Sequence, residues 1–502
     1  MPVRNLLDLL SQAADAFIAD SPDISIYDGN DDLVTTLSYK TLLEVSKTRA
    51  MKILTGQLVD LRQNPVVILS LENHHDTIPW FWAIVASGGI PCLLPALPED
   101  LEQRNVQLHT LQTLLGNPWF ITSFDLLNDL GGVHGLLIRT TDDIDGIYVY
   151  DFSDRTYPGI SKQGEDLAVL MLTSGSTGSP KAVSLQHGQI LAALAGKATI
   201  HNTTKNDVFL NFVDLHHVAN LTEIHLHALY LGAQQIHVEK SSFLEDPLSF
   251  LEMIQHHRVS YTFAPNFFLS RLVSAFRSLG ENQRLMMEKI SKELQPIRSW
   301  RGEFGIYHMD CPQHPLNTQK FQQNPSNFEL VDFSCLRALV SGGESNVIHT
   351  CDALESFLHD YNAPTGLIRP GFGMTETCAG AIYNVEDCPR YDLERKSEFT
   401  NVGVCMLGVE MRVVRRDDTE AKKGETGSLQ LAGPVVFKEY YNDPEKTEAS
   451  FTPDGWFKTG DLAFLDENGR LHIAGRENQT ILVNGYRALI SLILAANGLL
   501  TL

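Results

Sequence analysis

The segment LMLTSGSTGSPKAVSL, residues 170–185, sets hydroxyl and glycine residues between an apolar run and a lysine. Backbone N–H groups in such a loop can turn inward and form a nest for an anion. The hydroxyls of Thr173, Ser174, Ser176 and Thr177 add donors, and Lys181 adds a charge at the far end. Gly175 and Gly178 let the backbone approach a ligand without an intervening Cβ. The composition is that of a phosphate cradle. Better-known loops fit less well. A Walker loop needs its lysine directly after the last glycine, whereas Ser179 and Pro180 separate Gly178 from Lys181. The hydrolase elbow fails because Ser174, not glycine, stands two residues before Ser176. The start of a dinucleotide fingerprint at Gly371-Phe372-Gly373 meets Glu376 where its third glycine belongs.

Such a loop needs strands and helices to hold it. Residues 65–71 (PVVILSL) read as a buried strand, followed by a helix that ends at Gly88-Gly89, and then by strands at PCLLPA and PWFITS. Past the loop, the helical GQILAALAGKATI leads to strand candidates at 207–213, 259–265, 336–342 and 366–372. This order predicts an α/β fold: a large N-terminal part of doubly wound, mostly parallel sheets sandwiched by helices. From about residue 400, short alternating segments broken by Gly and charged turns predict a small β-rich, barrel-like subdomain. Residues 277–330 are polar and irregular and read as surface insertions.

The bulk numbers agree with an ordinary globular protein of several subdomains: 502 residues, 43% hydrophobic and 20% charged. A formal net charge of -22 argues against nucleic acid as a partner, and means that a polyanionic ligand must be held by local donors and a metal ion. Seven scattered cysteines without a CxxC pair suit reduced thiols and a cytoplasmic location. No run is apolar enough to predict a membrane span.

The loop LTSGSTGSPKAV resembles the signature of the adenylate-forming superfamily of acyl-CoA synthetases, peptide-synthetase adenylation domains and luciferases. SGGES (341–345), GFGMTET (371–377) and GWFKTGDLAFLDENGRLHIAGRENQTILVNG (455–485) resemble further motifs of that family, in the family's order. The resemblance implies an AMP-binding core over 1–400 with two similar subdomains, a β-rich subdomain over 401–475, and a hinge with the remnant of a C-terminal lid domain over 476–502. It implies that Thr375 reaches the α-phosphate, that Glu376 holds Mg²⁺ beside it, and that Lys181 belongs to the catalytic set. Gly371, Phe372 and Gly373 would lie on one side of adenine, with Gly342, Gly343 and Glu344 on the other. Asp461 and Arg476 would face the ribose. His217 resembles the residue that gates the acyl carboxylate. Val218 seats where amino-acid-activating members carry an Asp for the α-ammonium, which favours a plain carboxylic acid. Asn266, Phe267 and Phe268 would contribute to the acyl pocket. The histidines of DLHHVANLTEIHLH do not read as zinc ligands, because His225 and His227, at i and i+2, point to different faces of a helix.

The expected chemistry is ATP- and Mg²⁺-dependent formation of an acyl-adenylate, followed by transfer to CoA as in acyl-CoA ligases, in secondary-metabolite or fatty-acid metabolism. Two alternatives stand beside it: an NRPS-like adenylation protein that loads a phosphopantetheine carrier protein in trans, and a nucleotide-binding pseudoenzyme. The third draws on a departure from the family pattern. No lysine follows Lys458, so the lid domain's adenylation lysine is missing, and Asn478 occupies the hinge position where Asp or Lys is usual.

Overall fold

The structure, a computed structural model, describes residues 3–15, 23–55, 59–62, 64–131, 133–147, 161–174, 180–278, 331–477, 480–483 and 486–489. The insertion read at 277–330 and the hinge residue Asn478 fall almost wholly outside this set.

A six-stranded sheet runs in the order Leu137–Thr140, Trp119–Thr122, Val66–Ser70, Ile90–Leu93, Leu167–Ser174, Pro180–Gln186. All its pairings are parallel except the last, a hairpin between Leu167–Ser174 and Pro180–Gln186. Val66–Ser70 is buried along its whole length, as expected of a parallel strand covered on both faces, and its unbroken apolar run follows from that. The helix His74–Ser87 starts where the Asn73 side chain accepts from the Asp76 N–H and stops at Gly88, whose φ of 79° closes the last turn. Its central residues, Trp80 through Ala86, are buried throughout the length.

The second sheet has nine strands. From Ile368–Met374 it proceeds through Ala338–Ser341, Tyr261–Phe263, Val208–Asn211 and Gln234–Val238 to Ile24–Tyr27, all parallel. Antiparallel strands finish both edges, Leu33–Leu37 at one and Ala379–Tyr383 with Val404–Cys405 at the other. The strands read from sequence at 65–71, 207–213, 259–265 and 336–342 each contain one of these elements, and that read at 366–372 overlaps Ile368–Met374, which runs two residues further.

The β-rich region past residue 400 is a four-stranded antiparallel sheet, ordered Glu410–Val414, Gly427–Ala432, Phe457–Leu465, Leu471–Arg476. These described strands pair as an open ladder. Leu471 closes one edge by bridging to Gly403 next to the nine-stranded sheet. One continuous core reaches from the first helix, Leu6–Asp15, into this sheet through Val409, Val413, Leu429, Leu431 and Phe457. The three sheets therefore share buried apolar surface, and a cleft between them has firm walls.

One departure from the helical reading occurs at Ala219–His225, which is a π-helical stretch before the short α-helix Leu226–Leu231. Wider turns of this kind shift the side chains that follow relative to an α-helix. No helix among the described residues is long and apolar enough to cross a membrane.

Candidate active site

A cavity of about 1130 Å³ opens where the three sheets meet. The hairpin of the six-stranded sheet lines it with Leu172, Thr173 and Lys181. The nine-stranded sheet contributes Gly342 to Glu344 and Gly373 to Glu376, and the small sheet contributes Phe457 to Gly460 and Arg476. Four regions far apart in sequence thus converge on one space.

Thr173 and Lys181 are register partners across the hairpin. Lys181 Nζ sits 4.7 Å from the centre of the Tyr440 ring, a cation–π contact. The Tyr440 hydroxyl donates to Glu376 Oε1 at 2.8 Å. Burial first, and the adjacent Glu376 carboxylate second, push the Tyr440 phenol above its ordinary range, so it stays a donor. Lys181, Tyr440 and Glu376 form a row along one wall. Of the loop between the hairpin strands, Gly175, Ser176, Thr177 and Gly178 lie outside the described residues, and Ser174 is described only as the end of its strand.

Thr375 and Glu376 leave the strand Ile368–Met374 on a single 3₁₀ turn, Thr375–Thr377. The Phe437 N–H donates to the Glu376 carbonyl at 2.8 Å, which ties this turn to the segment before Tyr440. Cys378 and Ala379 follow at φ 54° and 69°, left-handed conformations that non-glycine residues adopt at a cost. The sharp return brings Ala379 O so close that a Cβ on Gly373 would lie 1.9 Å from it. Only glycine fits there. Likewise a Cβ on Gly342 would stand 2.7 Å from Gly371 O, so the two glycine segments abut backbone to backbone.

Gly342, Gly343 and Glu344 line the cavity, as does Gly373. Phe372 does not: its ring is half-buried and packs against the main core, because alternate residues of a strand face opposite ways. Beside the lining residues Thr459 and Gly460, Asp461 is 3% exposed and its Oδ1 pairs with Arg476 Nε at 2.9 Å. Its Oδ2 has no hydrogen-bond partner among the described residues. Burial raises the Asp461 carboxyl to about 6, against the pull of Arg476.

At the other end, His216, His217, Val218 and Ala219 line the cavity with Phe212, Phe263, Pro265 and Phe267. Burial holds the His217 imidazole below its ordinary range, hence neutral near pH 7. Phe267 lines this end and is half exposed, whereas its neighbour Phe268 is fully buried among Phe212, Phe250 and Leu269. The expectation that both would line the pocket is corrected: consecutive helical positions point about 100° apart, so one faces the cavity and the other the core. Asn266 is placed structurally, its Oδ1 accepting from the Val347 N–H at 3.1 Å.

His225 and His227 are committed elsewhere. Trp82 Nε1 donates to His225 Nε2 at 2.9 Å, His225 Nδ1 meets Gln235 Oε1 at 2.8 Å, and His227 Nε2 meets Thr203 Oγ1 at 2.8 Å. Between them Glu223 forms a buried ion pair with Lys197 at 2.9 Å and accepts from Tyr261 and Tyr383, both at 2.7 Å. Lys197 also donates to Gly380 O, fixing the strand that returns from Glu376. Sequence reasoning passed over this network, Tyr440, and the cavity-lining charges Asp214, Lys240 and Lys458. Lys197 and Glu223, the charged residues within the GQILAALAGKATI and LTEIHLH segments, were the available signal for the first. Nothing near Tyr440 in sequence announces its part.

The model of the AMP-binding enzyme family matches residues 15–441. Curated relatives include the nonribosomal peptide synthetase acyN of Ascocoryne sarcoides, 41% identical over 97% of this chain and 47% of that protein. Microperfuranone synthase of Emericella nidulans is 40% identical over 97% of this chain and 46% of that protein. The chain thus spans about half the length of the curated relatives it matches. Among solved structures, McyG A-PCP complexed with phenylalanyl-adenylate superposes with a TM-score of 0.77 at 26% identity, covering 97% of this chain and 78% of that one. The adenylation domain of a keto acid-selecting NRPS module gives 0.75 at 23% identity over 99% and 84%, a likeness of fold. With the ordered motifs converging on one cavity and the family model covering most of its length, the chain belongs to the AMP-binding enzyme family.

Proposed function

We propose that this chain is an NRPS-like adenylation unit that joins a carboxylic acid without an α-ammonium group to AMP and passes it to a carrier-protein thiol. The observation that carries the reading is one cavity with Lys181, Tyr440 and Glu376 along one wall, Asp461 and Arg476 near a second, and an aromatic end beside His217 whose charges, Asp214 and Lys240, pair with each other. Val218 at the cavity offers no carboxylate to an α-ammonium, and the Asp214 carboxylate that also lines this end already accepts from Lys240 at 2.7 Å.

The donor set fits ATP and a hard divalent cation. The partnerless, buried Oδ2 of Asp461 can accept from a ribose hydroxyl. Glu376 offers carboxylate oxygen, the ligand type that suits Mg²⁺. Mg²⁺ held there, when bound, supplies charge neutralisation at the phosphate oxygens. The acid's carboxylate oxygen attacks the α-phosphorus, the bond from that phosphorus to the bridging oxygen breaks, and pyrophosphate leaves. Lys181 and the Thr375 hydroxyl stabilise the charge that grows on the phosphate oxygens. Neutral His217 orients the carboxylate without trapping it in a salt bridge.

The first expectation for the acceptor, CoA, gives way to the carrier reading, because the relatives bear names of nonribosomal peptide synthetases. The test is acid-dependent exchange of labelled pyrophosphate into ATP with a panel of aryl and alkyl acids, each beside its α-amino counterpart. Exchange with the former and not the latter is expected. Nucleotide binding with no exchange for any acid would instead establish a pseudoenzyme. Adding a phosphopantetheinylated carrier or CoA then identifies the acceptor by the thioester formed.

A further inference from the structure

Away from the nucleotide wall, three ligand-type side chains meet where the two large sheets join. His74 opens the helix after strand Val66–Ser70 of the six-stranded sheet, while Asp214 and Glu239 follow the parallel strands Val208–Asn211 and Gln234–Val238 of the nine-stranded sheet. A ring nitrogen of His74 and one oxygen from each carboxylate all lie within 4.8 Å of one another. His74 is 2% exposed, and its Nε2 has no hydrogen-bond partner among the described residues. A buried polar atom left unpaired is costly and calls for a ligand. The site is partly held in place already: Glu239 Oε1 accepts from the His74 backbone N–H at 2.9 Å. Asp214 Oδ2 accepts from Lys240 Nζ at 2.7 Å and stands 3.9 Å from His216 Nδ1, and Asp214, His216 and Lys240 all line the cavity.

We propose that His74, Asp214 and Glu239 form a site for a divalent transition ion of the zinc class, spanning the two sheets with an open coordination position. One imidazole nitrogen and two carboxylate oxygens suit Zn²⁺ or Co²⁺ better than Mg²⁺, which takes oxygen ligands. A shell with bonds of about 2.1 Å brings ligand atoms about 3.4 Å apart, so these side chains need draw in by only about an ångström or so. Burial keeps the His74 imidazole neutral, although Glu239 and Asp214 favour its charged form, and the neutral ring is the one that binds metal. Metal competes with Lys240 for Asp214, so occupancy frees Lys240 and His216 at the acid end of the cavity. The ion thereby adjusts acid binding without touching the row at Glu376.

The experiment titrates Co²⁺ into the chelator-treated, nucleotide-free full chain and reads the visible ligand-field band. One equivalent is expected to bind with no sulfur-to-metal charge-transfer band, which separates this site from the seven cysteines. His74→Gln and Asp214→Asn should each weaken binding by roughly 10–100-fold or more. Lys240→Gln should tighten it, and Glu376→Gln should leave it unchanged. Circular dichroism establishes that each variant is folded. Should His74→Gln fail to fold, the Asp214→Asn and Glu239→Gln proteins decide the matter. No stoichiometric binding, a thiolate band, undiminished affinity in folded His74→Gln or Asp214→Asn, or lost affinity in Glu376→Gln would overturn the proposal.

Discussion

Residues 214–227 hold four histidines, and the two halves of this segment put them to opposite use. His216 and His217 stand at the cavity, ring against ring with centroids 4.3 Å apart, in contact with open space. His225 and His227 are fully buried, and their ring nitrogens meet Trp82, Gln235, the Glu223 carbonyl and Thr203. The residue type is the same and the surroundings differ. An imidazole whose two nitrogens are both engaged by the core is a structural bridge. One that keeps a face on the cavity is free to meet a substrate. The π-helical stretch between the halves changes the facing of the residues that follow it.

The strongest way to break this comparison is to remove the charge at the centre of the buried half. Glu223→Ala strands Lys197 without a counter-ion in the core, and should cost about 3–5 kcal/mol of stability in urea unfolding. A much smaller loss would mean that the buried half is no structural bridge. On the cavity side, Glu376→Gln and Lys181→Ala should each lower pyrophosphate exchange by about 10²- to 10³-fold, while unfolding moves by less than about 1 kcal/mol. Coincident losses of stability would show these residues to be scaffold.

The histidines themselves sharpen the contrast. His225→Leu leaves Trp82 Nε1 buried and unpaired, while Gln235 Oε1 keeps His237 Nε2, at about 1–3 kcal/mol, with the KM for the acid unchanged in the folded fraction. His217→Ala should do the converse, raising that KM by about tenfold, some 1.4 kcal/mol, with unfolding unmoved. If both variants shift the same observable, the division fails.

The smallest effect is a pH dependence at the Asp461 end of the cavity. The Asp461 carboxyl titrates at about 6 in the folded protein, above the 3.8 of a free aspartate. Nucleotide affinity should weaken about twofold from pH 7 to pH 6 and approach tenfold per unit below that, as the acceptor protonates. Stability runs the other way: the raised value contributes stability that is complete below about pH 4 and lost as pH rises through 6. Asp461→Asn should flatten both profiles, as read by nucleotide titration and by unfolding at each pH.

Much of the scaffold was legible because parallel strands buried on both faces leave unbroken apolar runs, as in VVIL and ALV, and because Gly88 closes a helix in plain view. The convergence of Thr173, Lys181, Gly342, Glu376 and Arg476 followed from motifs whose backbone demands leave a chemical trace, such as Gly373 against Ala379. What stayed hidden depends on facing and on distance along the chain. Nothing local distinguishes Phe267 from Phe268, or tells that Phe372 turns to the core. Tyr440 joins Glu376 across 64 residues, and His74 approaches Asp214 from another sheet, contacts that only the assembled fold creates.

The hairpin that carries Lys181 also constrains how this chain can vary. Thr173 faces Lys181 and Ser174 faces Pro180, in a ladder whose side chains alternate faces with a period of two from Val169 onward, past a register shift between Leu167 and Val169. Replacing residues in the connecting segment leaves that alternation intact. Adding or deleting a single residue within the Pro180–Gln186 strand would send the lysine's ammonium to the opposite side of the sheet, while a change of two would restore it. Tolerated length changes between Lys181 and the tip of this hairpin should therefore come in pairs, whereas the register shift between Leu167 and Val169 marks where an odd residue is absorbed, a parity rule written into the backbone rather than into any one side chain.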